Sequence, residues 1–196
     1  MLSKEKPKFE KYLDPLAKKL AFANPNTLTL IGSIPSLFFF VSVINHWYLL
    51  ALISFFGYFF DLIDGMIARK YNKVTNFGGF LDSTIDRVSD FLTIMAFSFG
   101  SIVRWEIAVV ALMLSFLTSY VRAHGELRSM NKLNFARGLI ERPERLILIF
   151  FSLVAYIILP RTTYMGFNST EWIFLLLIIL SAYTVMQRII FAYKNL

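Results

Sequence analysis

DLIDGMIARKYNKVTNFGGFLDSTID, residues 61–86, places four aspartates, one arginine and three glycines where one apolar segment runs into a short polar connection and a second apolar segment leaves it. A carboxylate kept inside a membrane-like segment is costly and marks a functional site with a cationic partner. Asp61 and Asp64 stand at i and i+3, with Gly65 beside them and Ala68 one turn further on. Both carboxylates therefore leave one helix face, with Cβ atoms roughly 5–6 Å apart. After the connection, Gly78, Asp82 and Asp86 recur at i, i+4 and i+8 along one stripe of a second helix. The spacing thus predicts two carboxylate stripes able to face each other. Unit charges about 4 Å apart repel by about 4 kcal/mol at an effective dielectric near 20, so four ionised aspartates need cations between them. Oxygen donors suit hard divalent ions, and paired ions roughly 3.5–4 Å apart are a recurring device for phosphoryl displacement. The chain has no cysteine and its two histidines lie outside this stretch, which favours magnesium, manganese or calcium over zinc.

Composition places this stretch in a membrane. The 196 residues are 57% hydrophobic and 17% aromatic, with a mean hydropathy of +0.59, and several apolar runs approach the roughly 20 residues that cross a hydrocarbon core. A chain without cysteine carries neither a disulfide framework nor thiol redox chemistry. The first residues are rich in lysine but lack a short apolar stretch with a small-residue cleavage site, so they do not read as a removable signal peptide. Residues 1–23 read instead as an amphipathic juxtamembrane helix, with Leu13, Leu16, Leu20 and Phe22 on its apolar side and lysines toward anionic headgroups. Residues 24–196 form the membrane domain.

Six spans follow in that domain. Asn24-Pro25-Asn26-Thr27 breaks the surface helix and starts the next, with Asn26 or Thr27 as N-cap. The spans are expected over about Leu28–Val43, Tyr48–Ala68, Gly78–Phe99, Trp105–Arg122, Pro143–Leu159 and Trp172–Ala192. Asn45-His46-Trp47 marks a far interface, Gly100-Ser101 breaks the third span, and the stretch from Ala123 to Arg142 is too charged to lie in lipid. Of the twenty lysines and arginines, all but Arg104 and Arg161 fall on the side of the termini and the aspartates. The positive-inside rule makes that side cytoplasmic, in a multi-pass cell-membrane protein. The same sorting argues against nucleic acid as the partner of the net charge of +7, because no single soluble face gathers it. Asn168-Ser169-Thr170 matches a glycosylation sequon, a three-residue pattern of little weight.

The pattern Asp-x2-Asp-Gly-x2-Ala-Arg-x8-Gly-x3-Asp-x3-Asp is met without a gap by Asp61, Asp64, Gly65, Ala68, Arg69, Gly78, Asp82 and Asp86. It resembles the signature of the CDP-alcohol phosphotransferase family, the class I CDP-alcohol phosphatidyltransferases. The resemblance implies an all-α integral membrane transferase that uses Mg2+ or Mn2+, two ions, and works as a homodimer. Asp61, Asp64, Asp82 and Asp86 are the expected metal ligands, and Asp86 also has the base role proposed in the family, accepting the proton of the attacking hydroxyl. Gly65 removes a side chain where the nucleotide approaches the backbone. Arg69 offers a planar cationic fork to the pyrophosphate that a lysine would not reproduce. By resemblance, Asn24, Asn26, Thr27, Thr75 and Gly78 complete the CDP-lipid site. Asp90 continues the stripe but lies outside the signature, as a packing residue or an acceptor contact.

The acceptor is read from the remaining charge. Arg122 closes the fourth span, Arg142 and Arg145 open the fifth, and Arg188 interrupts the apolar sixth. Snorkelling to the cytoplasmic surface would account for any one of them. Converging guanidinium forks suit an acceptor that itself carries phosphate. Ser119-Tyr120-Val121-Arg122-Ala123 and Glu141-Arg142-Pro143-Glu144-Arg145 also resemble the branch that joins inositol phosphate to a CDP-activated lipid, the phosphatidylinositol phosphate and archaetidylinositol phosphate synthases. In that branch Ser119, Arg122, Arg145 and Arg188 would match the acceptor-phosphate pocket, while His124 departs from the arginine that bacterial relatives tend to carry. The expected activity is transfer of a phosphatidyl-type group to inositol phosphate with release of CMP. Glycerol phosphate or another small alcohol is the alternative acceptor. An ion channel or transporter would instead keep its acids near mid-membrane along a water path, whereas these cluster at helix ends beside Gly65 and Arg69.

Overall fold

The computed structural model describes residues 24–59, 67–130, 132–159 and 163–196. The surface helix expected for residues 1–23 lies outside them, as does the segment holding Asp61, Asp64 and Gly65. The chain folds as two compact units, one ending at Gly100 and the other beginning at Ser101.

In the first unit, α1 (Pro25–Gly32) and α2 (Ile34–Ile44) lead into α3 (Tyr48–Phe55), a 3-10 turn (Phe56–Phe59), a helical turn at 67–70 and the long α4 (Asn76–Phe99). The cap of α1 corrects the sequence reading. Asn24, and neither Asn26 nor Thr27, is the N-cap, its Oδ1 accepting from Asn26 N at 3.0 Å. Proline is at home in the first helical turn, where its missing N–H costs nothing, so the helix starts at Pro25 rather than after it. The first span is also two helices. Ser33 ends α1, and Pro35 stands in the first turn of α2. α2 packs on both α3 and α4, burying Phe39, Val43, Ala51, Ile94 and Phe97.

The second unit runs through α5 (Trp105–Arg128), α6 (Arg142–Ile158), a two-residue hairpin of β1 (Thr163–Tyr164) and β2 (Phe167–Asn168), and α7 (Ser169–Asn195). The strands pair antiparallel, Thr163 with Asn168 and Tyr164 with Phe167. α7 packs against both α5 and α6. α5 continues past Arg122 to Arg128, so the first part of the charged stretch is helical. Its remainder folds back over the helices: Phe135 is buried edge-on to Phe191, and Ile140 N donates to Thr184 Oγ1 at 3.1 Å. Gly138 makes this return possible, with φ +132 and no room for a Cβ beside Thr184. Asn168, the sequon asparagine, caps α7, accepting from Glu171 N at 2.8 Å while its Nδ2 donates to Ile102 O.

Among the described residues, Pro25–Ile44, Trp105–Arg128 and Ser169–Asn195 are long and apolar enough to cross a membrane, and Tyr48–Tyr58 is a shorter apolar helix. The surface agrees with a lipid environment. Leu49, Ile53, Phe56, Phe80, Ile179 and Met186 are exposed, whereas Ser36, Ser42, Thr93, Ser115, Ser152, Ser181 and Thr184 are buried. In lipid, apolar side chains gain nothing by turning inward, and small hydroxyl residues let helix backbones approach, some of them bonding locally. Ser36 Oγ donates to Ser33 O, Ser152 Oγ to Leu148 O, and Thr93 Oγ1 both bonds Ser89 O and meets the Tyr58 hydroxyl.

Candidate functional site

Two clusters, one in each unit, gather some of the site residues that the sequence singles out. In the first, Asn24, Pro25, Asn26, Lys73 and Thr75 line an open cleft of about 380 Å³. Local geometry builds it. Thr75 caps α4 with its Oγ1 accepting from Gly78 N at 3.0 Å. A Cβ on Gly78 would stand 3.0 Å from both Thr75 Oγ1 and Asn26 Oδ1, so the glycine keeps the two polar side chains close to the helix start. Asn72 takes φ 53, and Lys73 N returns to Ala68 O at 2.9 Å, a left-handed helix ending that sets where Lys73 leaves the chain. Thr27 is exposed and does not line the cleft, and Arg69 is exposed on the helical turn before it.

Further along α4, Asp82 and Asp86 lie one turn apart, both half-buried, with Arg87 Nη1 3.7 Å from Asp86 Oδ2. Asp90, the next in the stripe, is buried. Among the described residues no three of histidine, cysteine, aspartate and glutamate come together as a metal site; the other two aspartates of the pattern lie outside those residues. Asp82 and Asp86 present carboxylate oxygens from one helix face, a donor set that fits a hard divalent cation.

In the second unit, Arg122, Arg145 and Arg188 gather around Thr118 and Glu141. Arg188 is 3% exposed. Its Nε donates to Arg137 O at 2.7 Å, Nη1 to Thr118 O at 2.5 Å and Nη2 to Glu141 Oε1 at 3.3 Å. Arg145, equally buried, donates from Nη1 to Thr118 Oγ1 at 3.1 Å. Arg122 reaches Glu126 Oε1 with Nε at 3.1 Å and lies 3.7 Å from Glu141 Oε1 through Nη1. Ser119 stands apart in its bonding, since its hydroxyl donates to Ser115 O of its own helix. His124 stacks on Tyr120 with ring centroids 5.4 Å apart, and its Nε2 accepts from Arg128 Nε at 3.3 Å.

Sequence reasoning passed over Lys73, Thr118, Arg137 and Glu141. Lys73 stood in the polar connection already quoted, and Glu141 in the motif read for its arginines. Thr118 and Arg137 carried no signal, because they act through backbone or hydroxyl oxygens brought in by the fold.

The family model for CDP-alcohol phosphatidyltransferase matches residues 22–186. The chain is 37% identical to archaetidylinositol phosphate synthase of Pyrococcus horikoshii over all of this chain and 98% of that protein. It is 32% identical to phosphatidylinositol phosphate synthase of Corynebacterium glutamicum over 93% of this chain and 84% of that one. Among solved structures, Mycobacterium tuberculosis phosphatidylinositol phosphate synthase in complex with manganese and citrate superposes with a TM-score of 0.76 at 25% identity, covering 91% of this chain and 88% of that one.

Proposed function

Because this chain belongs to the CDP-alcohol phosphatidyltransferase family, and is thus a membrane transferase of phospholipid biosynthesis, we propose that it transfers the phosphatidyl-type group of a CDP-linked lipid to inositol phosphate and releases CMP. The observation that supports the acceptor is the gathering of three guanidinium groups around Thr118 and Glu141. Planar forks in a partly desolvated cluster suit a phosphate dianion better than a neutral polyol. The full-length likeness to a synthase named for inositol phosphate points the same way.

In this reading Asn24, Asn26, Thr27, Gly65, Arg69, Thr75 and Gly78 bind the CDP-lipid, and Ser119, Arg122, Arg145 and Arg188 hold the acceptor's phosphate. Asp61, Asp64, Asp82 and Asp86 would hold two magnesium or manganese ions, which when bound supply neutralisation of the diphosphate charge. Asp86 accepts the proton of the attacking hydroxyl. The hydroxyl oxygen bonds to the lipid-bearing phosphorus, the bond from that phosphorus to its bridging oxygen breaks, and CMP departs with the electron pair. The chain crosses the cell membrane six times with its active site toward the cytoplasm, a reading supported by the sorting of lysine and arginine, and it works as a homodimer.

The experiment is CMP release by purified protein given CDP-lipid with inositol phosphate, glycerol phosphate or unphosphorylated inositol. Inositol phosphate should be used at least tenfold better than inositol, on the order of one charge-assisted hydrogen bond to the phosphate. Equal use of the two would remove the acceptor pocket, and no CMP release with any alcohol would remove the activity.

A further inference from the structure

Glu141 is a buried carboxylate, 8% exposed, to which the mechanism above gives no part. Its Oε1 lies 3.3 Å from Arg188 Nη2 and 3.7 Å from Arg122 Nη1, so one oxygen serves two of the three acceptor-site arginines. Its backbone is fixed as the N-cap of α6, where the Glu141 N–H donates to Glu144 Oε2 at 3.1 Å. The two arginines differ in how they are held. Arg188 is anchored by two further bonds to the carbonyls of Arg137 and Thr118. The Arg122 side chain is 43% exposed, and its second partner, Glu126, is itself partly exposed.

Three guanidinium groups in one cluster repel one another, and a buried cation without a counter-charge is expensive. Glu141 supplies that counter-charge at the spot where an arriving phosphate would supply it too. We propose that Glu141 is a positioning residue that stands in for the acceptor's phosphate while the pocket is empty. Arg188 stays on Glu141 throughout, and Arg122, with the longer contact and the exposed side chain, passes from the carboxylate to the phosphate. This rests on the acceptor reading above.

The test is E141Q, which keeps the shape and an acceptor oxygen but removes the charge. Thermal unfolding is followed in detergent with inositol phosphate, inorganic phosphate or unphosphorylated inositol, and KM is measured for both substrates. The empty variant should unfold at a lower temperature than wild type yet gain more from either phosphate. Its KM for inositol phosphate should fall about three- to tenfold, the scale of one net hydrogen bond that need no longer be exchanged, while its KM for CDP-lipid stays put. A purely structural role would lower stability without the larger phosphate response. Should E141Q not fold, E141D keeps the charge but shortens its reach toward Arg122 and should lower the acceptor KM by a smaller factor; an unchanged value there overturns the proposal. A wild-type protein that phosphate stabilises, paired with an E141Q that gains no more or has a raised acceptor KM, overturns the role of Glu141 alone. A wild type indifferent to inositol phosphate overturns the acceptor pocket and Glu141 together.

Discussion

The cleft of the first unit and the arginine cluster of the second are assembled by opposite means. Asn24 bonds two residues ahead and Thr75 three, so each wall of the cleft is a helix cap set locally, and only the packing of α1 on α4 is needed to bring the two together. The cluster is made of contacts that cross the chain: Arg145 to Thr118 over 27 positions, Arg188 to Arg137 over 51 and to Thr118 over 70. A site built from caps can lose a member and keep its shape. One built from buried ion pairs fails as a unit, because each removal leaves partners desolvated and unmatched.

The aspartate stripe sets the upper limit of that comparison, since in the proposed function its carboxylates serve chemistry more than shape. Asp86→Asn should cut CMP release by about 10²- to 10⁴-fold, the usual weight of a general base, with thermal unfolding little changed because the residue is only half-buried. Excess chelator should silence the wild type reversibly; full activity in chelator would end the metal reading. Next comes Arg188→Ala, expected to cost about 3–5 kcal/mol of stability by stranding Glu141 and two carbonyls. Unfolding at the wild-type temperature would show that the cluster is no tighter than the cleft. Smallest is the loss of a cap. Asn24→Ala or Thr75→Ala should cost about 1 kcal/mol and raise the KM for CDP-lipid while leaving that for the acceptor alone. A loss as large as that at Arg188 would erase the contrast.

The same contrast explains what could be read in advance. Pattern and period sufficed for Asp82 and Asp86 one turn apart on α4, for that helix from its first turn to Gly100, for the proline opening of α6, and for three arginines that gather. They failed where two local signals competed. Asn24, Asn26 and Thr27 are all good caps, and only the preference of Pro25 for the first helical turn chooses among them. The break at Ser33 was hidden because an apolar run looks continuous in hydropathy, although Pro35 lacks the N–H that an unbroken helix would use there. Glu141 was invisible as a counter-ion because its partners come from α5 and α7, and Asn168 looked like a sequon because its duty to Ile102 O is 66 positions away.

α5 and α7 are joined at their starts and again past the middle of α5. At one, Glu171 Oε1 takes the backbone N–H and the Nε of Arg104 at 3.1 and 2.9 Å; at the other, Arg188 holds the carbonyl of Thr118. Two struts pinned at two levels resist splaying between them, so heating should not loosen the arginine cluster by degrees. The catalytic rate should climb with temperature until the pins give way, and then the proposed acceptor binding and the helix packing should be lost within the same few degrees.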